Sequence, residues 1–234
     1  WFSRPVGGAG RYRFCFSPHT DPDLSMKPVS TAITNAKRSI FYAIAFRGAQ
    51  RGAADIALNA IDADKLLVMG VADKPGKKNG PPGTETIVQL PGRGRQALKP
   101  GALKKPLPEP FKSEWAGGSG VRMHHKFIVC DFNRKSAIVY TGSSNLAAGG
   151  EHENGDNLIE IRDPRVATAY GVEAVRIFDH YEFRDRMARA KTKPKVADLA
   201  EPPDGNEKAW WETAFEQGHY KRRDRELFSK PSTS

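Results

Sequence analysis

The sequence predicts an α/β fold: a mixed β-sheet flanked by helices on both faces, followed by a C-terminal helical tail. Three observations carry this expectation. Strand-like and helix-like segments alternate from Tyr12 to Val71; two apolar runs joined by a short polar turn lie between Phe127 and Tyr140; and a long helical pattern follows them from Pro164. At 234 residues the chain is long enough to bury a sizeable core.

Taken in order, Tyr12 to Ser17 reads as a first strand, with Pro18 to Pro22 as the loop after it. In that loop His19 and Asp21 either border a cleft or form a turn in which Asp21 caps the next helix. Leu24 to Arg38 carries Val29, Ala32, Ile33 and Ala36 at helical spacing and is an amphipathic helix. Ser39 to Phe46 is a strand rich in Ile, Tyr and Phe, Ala53 to Asp62 a further helix, and Lys65 to Val71 another strand. That order implies a mixed or parallel sheet covered by helices.

Between Asp73 and Val121 the composition shifts to Pro, Gly, Lys and Arg, with little periodic pattern. This basic insertion at about 73–121 is either a wall that guides an anionic substrate or a solvated excursion, and Phe111, Glu114 and Trp115 are expected to pin it to the domain. Phe127 to Val129 and Ala137 to Tyr140 then form two buried strands around a turn at Asn133 to Ser136. Gly149 to Asp156 reads as polar and flexible, Leu158 to Ile161 as a strand, and Asp163-Pro164 as the start of a helix running to about Arg186. Residues 1–186 are thus expected to be one domain and 187–234 a linker and tail. Trp210, Trp211 and Phe215 in that tail suit a docked helix, with insertion at a membrane interface as the competing reading.

The formal charge of +10 favours an anionic partner: nucleic acid, phospholipid headgroup or another polyanion. Cys15 and Cys130, each on an expected strand, read as reduced and buried, with a bridge between them as the alternative. No run is long and apolar enough to cross a bilayer. The chain starts at Trp1, so its beginning reads as trimmed.

The chemistry concentrates in Met123 to Asp131 and Thr141 to Asn145. In a strand, residues two apart share a face, so His124 and Lys126 point one way, while His125 and Asp131 point the other. An imidazole beside a fixed ammonium suits a phosphodiester, since one attacks or moves a proton while the other neutralises the phosphoryl oxygens. The Gly142 turn, with Ser143 and Asn145, offers hydroxyl, amide and backbone donors for the same phosphate. His152 with Glu151, Glu153 and Asp156 lacks the fixed spacing of metal ligands, so no metal is expected.

His124-x-Lys126-x4-Asp131 followed by Gly142-Ser143-x-Asn145 resembles the HxKxxxxD and GSxN motif of the phospholipase D superfamily, over about Phe14 to Arg186. Asn154-Gly155-Asp156-Asn157 leading into Leu158 strengthens the likeness. Asp131 and Gly142 are further apart than in the tightest family pattern, which implies a longer hairpin loop at Asn133 to Ser136.

The resemblance implies the fold of one half of such an enzyme, with His124, Lys126 and Asp156 catalytic, Ser143 and Asn145 holding substrate, and Asp131 and Gly142 supporting the motif. Asp156 falls where the family places a carboxylate that accepts a hydrogen bond from the motif histidine; the competing reading is a turn before Leu158. The implied activity is metal-independent and cofactor-free phosphodiester transfer through a phosphohistidine, on nucleic acid or phospholipid.

Such a reaction needs two motifs. The only other histidine followed two positions later by lysine is His219, before Tyr220 and Lys221, where Glu226 stands in the aspartate position and no Gly-Ser-x-Asn turn follows. A second half is therefore expected from a homodimer or from a preceding N-terminal half. The alternative is a catalytically incomplete half that binds phosphate or serves in assembly.

Overall fold

The computed structural model describes residues 1–5, 10–46, 56–58, 60–61, 65–74, 86–89, 95–98, 123–190 and 201–229. The remainder of the helix expected at Ala53 to Asp62, most of the 73–121 insertion with Phe111, Glu114 and Trp115, and most of the expected linker lie outside these residues.

The strands are β1 (Phe2–Pro5), β2 (Arg11–Phe16), β3 (Ser39–Phe46), β4 (Leu67–Lys74), β5 (Thr86–Gln89), β6 (Arg95–Leu98), β7 (Lys126–Cys130), β8 (Ile138–Gly142) and β9 (Asn157–Arg162). They form a nine-stranded sheet in the order β1-β2-β9-β8-β7-β3-β4-β5-β6. Only the β3–β4 pair is parallel; every other neighbour is antiparallel, so the sheet is mixed. The helices are α1 (Asp23–Asn35), α2 (Ala148–Glu153), α3 (Pro164–Ala190) and α4 (Tyr220–Ser229), with a 3₁₀ turn at Glu212–Ala214.

Alternation along the strands sorts the core into two layers. Ile40, Tyr42 and Ile44 of β3 and Ile128 and Cys130 of β7 pack with Met26, Val29 and Ile33 of α1. Phe41 and Ala43 of β3 and Phe127 and Val129 of β7 pack with Ala167, Ala174, Ile177 and Phe178 of α3. Helices therefore cover both faces. Each fully buried side chain of this size contributes about 1.5–3 kcal/mol through removal from water.

α3 starts where Asp163-Pro164 predicts. The Asp163 carboxylate accepts a hydrogen bond from the Arg165 N–H at 2.9 Å, which satisfies a free donor of the first turn. The hydrogen bonds from Arg165 also hold the Asp163 carboxyl below its ordinary range.

Several elements differ from the sequence expectation. β1 is an edge strand with no counterpart in that expectation, pairing Phe2 with Phe14. The basic insertion contains the short β5–β6 hairpin, which extends the sheet through Ala72 opposite Ile87. The stretch read as polar and flexible contains α2. α3 continues to Ala190, past the expected end at about Arg186.

The tail is docked through α4. Leu227 is buried, and Phe228 packs against Phe41 and Phe132, with ring centroids 6.3 and 5.6 Å apart. Asn133 Nδ2 donates to the Leu227 carbonyl at 3.2 Å. Phe132 lies so close to α3 that a Cβ on Gly171 would meet its ring at 2.3 Å, so this contact requires glycine. Trp210, Trp211 and Phe215 are exposed.

Cys15 and Cys130 are both free and buried. β2 and β7 are separated by β9 and β8, three strand spacings or about 14 Å. A disulfide spans at most about 7 Å between Cα atoms, so the sheet order forbids the bridge. No described helix is long and apolar enough to cross a membrane.

Candidate phosphodiester site

Antiparallel pairing gathers the sequence motifs at one end of the sheet. β7 and β9 begin there, and β2, β3 and β8 end there. Ile44 stands opposite Lys126, Gly142 opposite Leu158, and Phe16 opposite Asn157.

Lys126 opens β7, while His124 and His125 precede the strand. The Lys126 ammonium reaches back and donates to the His124 carbonyl oxygen at 3.1 Å. Partial burial pushes the Lys126 ammonium below its ordinary range, and the nearby Asp156 carboxylate opposes that shift. His124 is exposed. The His125 ring meets the edge of Phe127 at 6.2 Å, and Phe127 in turn meets Tyr170 of α3.

β8 ends at Gly142, whose φ of +139° and surroundings both demand glycine. A Cβ there would lie 2.3 Å from the Asn157 carbonyl oxygen. The turn that follows is latched to the start of β9. Ser143 Oγ accepts from the Asn157 N–H at 2.9 Å and from Asn157 Nδ2 at 3.2 Å. The Ser144 N–H donates to the Asn157 carbonyl at 3.0 Å. Ser143 is exposed, Ser144 is buried, and Asn145 keeps a buried Oδ1 with no hydrogen-bond partner among the described residues.

Asp156 is fixed by the loop after β2. The Ser17 N–H donates to the Asp156 carbonyl and the Asp156 N–H to Ser17 Oγ, both at 2.9 Å. Ser17 Oγ donates to the Asn154 carbonyl at 2.7 Å. These bonds involve the Asp156 backbone and leave its carboxylate free to point elsewhere. Oδ2 is buried and unpartnered among the described residues.

Asp131 lies at the opposite end of β7. Its Oδ1 accepts from the Lys37 and Arg38 N–H groups, each at 2.8 Å, and ties the end of α1 to the start of β3. His19 sits beside α2, with Nε2 3.5 Å from Glu151 Oε2, and Asp21 Oδ1 accepts from the Asp23 N–H at 3.0 Å. His219 lies in the tail, where its Nδ1 accepts from the Lys221 N–H at 3.1 Å. Among the described residues no group of three or more His, Cys, Asp or Glu is placed to hold a metal ion.

The structure therefore brings His124, Lys126, Ser143, Asn145 and Asp156 to one end of the sheet and sends Asp131 to the other. It also adds Ser17, together with Asn157, which the sequence offers only within the Asn154–Asn157 run, and Glu151, which it offers only in a cluster without metal-ligand spacing. The one signal for Asn157 was its place next to Asp156 at the start of a strand. Nothing local marked Ser17, whose partners are more than 130 positions away.

Residues 95–179 match the family model described as "Cardiolipin synthase, PLD-like domain". Over this segment the chain is similar to a phospholipase D-like domain. The matched segment contains every motif residue from His124 to Asp156.

Among solved structures, the chain is similar to NucT from Helicobacter pylori, at 16% identity and a TM-score of 0.46, covering 73% of this chain and 96% of that one. It is also similar to a phospholipase D family member, Nuc from Salmonella typhimurium, at 21% identity and a TM-score of 0.41, covering 75% of this chain and 93% of that one. No curated protein matches the sequence. In the matched segment the Gly142–Asn145 turn and the His124–Lys126 strand are neighbours, since Phe127 pairs with Thr141 one residue before Gly142.

Proposed function

We propose that this chain is a metal-independent phosphodiesterase of the phospholipase D type, acting on a phosphodiester of nucleic acid or phospholipid. The observation that supports it most directly is the partly buried Lys126 ammonium, bonded to the His124 carbonyl and electrostatically coupled to Asp156 at the end of the motif strand. An ammonium held there neutralises phosphoryl oxygens more strongly than one in open water.

In the first step a ring nitrogen of His124 attacks phosphorus, and the bond from phosphorus to the leaving oxygen breaks as a second motif histidine protonates that oxygen. In the second step water attacks the phosphohistidine, gives its proton to the second histidine and releases His124. Lys126, Ser143 and Asn145 hold the phosphoryl oxygens throughout. The Asp156 carboxylate fixes the tautomer of a motif histidine and stabilises its imidazolium, which gives a role to Oδ2, unpartnered among the described residues.

The second histidine comes from a second copy of the chain across a two-fold axis or from another motif-bearing half. The chain holds one complete motif, which favours a second reading, that of a phosphate-binding half without turnover. The two readings separate in one experiment: hydrolysis of bis(p-nitrophenyl) phosphate with a chelator present, by the native chain and by His124→Ala, with mass measured in solution. Turnover that survives chelation, disappears in the variant and travels with a dimer supports the enzyme. Phosphate binding without turnover by a monomer supports the incomplete half. Salt-sensitive cleavage of DNA or RNA, against headgroup release from vesicles, then assigns the substrate.

A further inference from the structure

We infer that Glu151 is a positioning residue that sets the Gly142–Asn145 turn from beneath, acting through Ser144. The inference rests on the phosphodiesterase reading of the site.

Glu151 is 2% exposed, an expensive place for a carboxylate unless its oxygens are satisfied. Two hydroxyls satisfy them. Ser144 Oγ donates a short hydrogen bond to Oε1, and Ser25 Oγ of α1 donates to Oε2 at 2.6 Å. The Glu151 carbonyl also accepts from the His19 N–H at 3.1 Å, which ties in the loop that holds Asp156. One buried residue thus joins α1, the loop after β2 and the motif turn.

Its grip on the turn falls between the two residues placed on the phosphate. Ser143 and Asn145 flank Ser144, so fixing the Ser144 side chain fixes how far its neighbours project. The Ser144 hydroxyl has a second task, accepting from the Leu146 N–H at 3.0 Å. Leu146 has φ +56°, a left-handed conformation that a leucine disfavours and that surrounding bonds must impose. The Ser144–Glu151 bond orients the hydroxyl that imposes it. Ser25 provides the comparison, since it donates to the same carboxylate from outside the motif.

The test measures kcat and KM for bis(p-nitrophenyl) phosphate together with thermal melts, for the native chain, His124→Ala, Ser144→Ala, Ser25→Ala and Glu151→Asp. A displacement of about 1 Å can cost 10²-fold in rate. Ser144→Ala is expected to lower kcat by about ten- to a hundredfold with little change in KM. Ser25→Ala is expected to lower the melting temperature comparably yet keep kcat within about threefold, because the motif turn stays bonded.

Glu151→Asp keeps the charge but withdraws the oxygens by one methylene. It is expected to reproduce the kcat loss and serves if Ser144→Ala does not fold. Equal losses of kcat in Ser144→Ala and Ser25→Ala, or full kcat in Glu151→Asp, would overturn the inference while leaving the phosphodiesterase reading intact. No turnover by the native chain, or undiminished turnover by His124→Ala, would overturn that reading and this inference with it.

Discussion

Ser143 and Asn157 are bonded three times across the end of the β8–β9 pair: the serine hydroxyl accepts from the backbone N–H at 2.9 Å and from the side-chain Nδ2 at 3.2 Å, and the serine N–H donates to Oδ1 at 3.4 Å. A hydroxyl with both lone pairs engaged has its own proton left to give, and the two bonds aim it away from Asn157. Asn157→Ala removes both side-chain bonds to Ser143, one of them to the hydroxyl, and lets the hydroxyl turn. We expect a loss of about tenfold in kcat at a stability cost of about 1 kcal/mol. Kinetics set beside a thermal melt would show it, and unchanged kcat would mean that the Ser143 hydroxyl does not face the reacting group.

The Lys126–Asp156 relationship makes a prediction about pH. Phosphoryl binding needs the charged ammonium, so activity should fall on the alkaline side as Lys126 loses its proton. Burial already lowers that pKa, which places the limb below the value of about 10.4 for a free lysine. Asp156 opposes the lowering. Asp156→Asn should therefore move the Lys126 step of the alkaline limb to lower pH, and Lys126→Arg, which stays charged, should remove that step and leave the step set by the histidine acid. A limb that moves to higher pH in Asp156→Asn would contradict the coupling.

Asp131 belongs to stability rather than to the reaction. Its carboxylate accepts two part-buried backbone N–H groups, and its φ of +55° is one that Asp and Asn tolerate better than most residues. Asp131→Ala should cost about 3 kcal/mol, and Asp131→Asn, which keeps an acceptor, about 1 kcal/mol. Denaturant titration would measure both. In either variant the folded fraction should turn over at the native rate.

Gly142 admits no side chain. Gly142→Ala adds left-handed strain to a contact of 2.3 Å with the Asn157 carbonyl, and should lower stability by about 3 kcal/mol, or the melting temperature by about 10 °C. The β8–β9 latch must open to admit the methyl group, so activity should fall further than the lost folded fraction explains. A variant that melts and turns over like the native chain would refute the geometry of the turn.

Much of this was legible in the residues because apolar alternation and glycine have local causes. Ser39 to Phe46 reads as a strand and is one, since both faces are buried from Ser39 to Ala45 and Ile40 to Ala45 are all side chains that favour burial. Other features depend on distant partners. The short run Thr86 to Gln89 is hidden by Pro, Gly and basic neighbours, and its pairing with β4 and β6 makes it a strand. α2 contains Gly149 and Gly150, poor helix formers, and its Glu151 finds one of its donors more than 120 positions away. For His124 and Lys126, strand alternation supplied a shared face, whereas β7 begins only at Lys126 and the two residues meet through a carbonyl.

β7 carries Lys126 at one end and leads into Asp131 at the other, five residues or about 17 Å along the strand. Separation on that scale makes substitutions additive, so the two ends can be altered independently. An engineer seeking a different substrate could diversify the lip around Ser143 and Asn145 while recovering lost robustness at the α1–β3 junction. Selection acting on natural variants has the same freedom, with one end of a single strand open to drift in specificity and the other acting as its ballast.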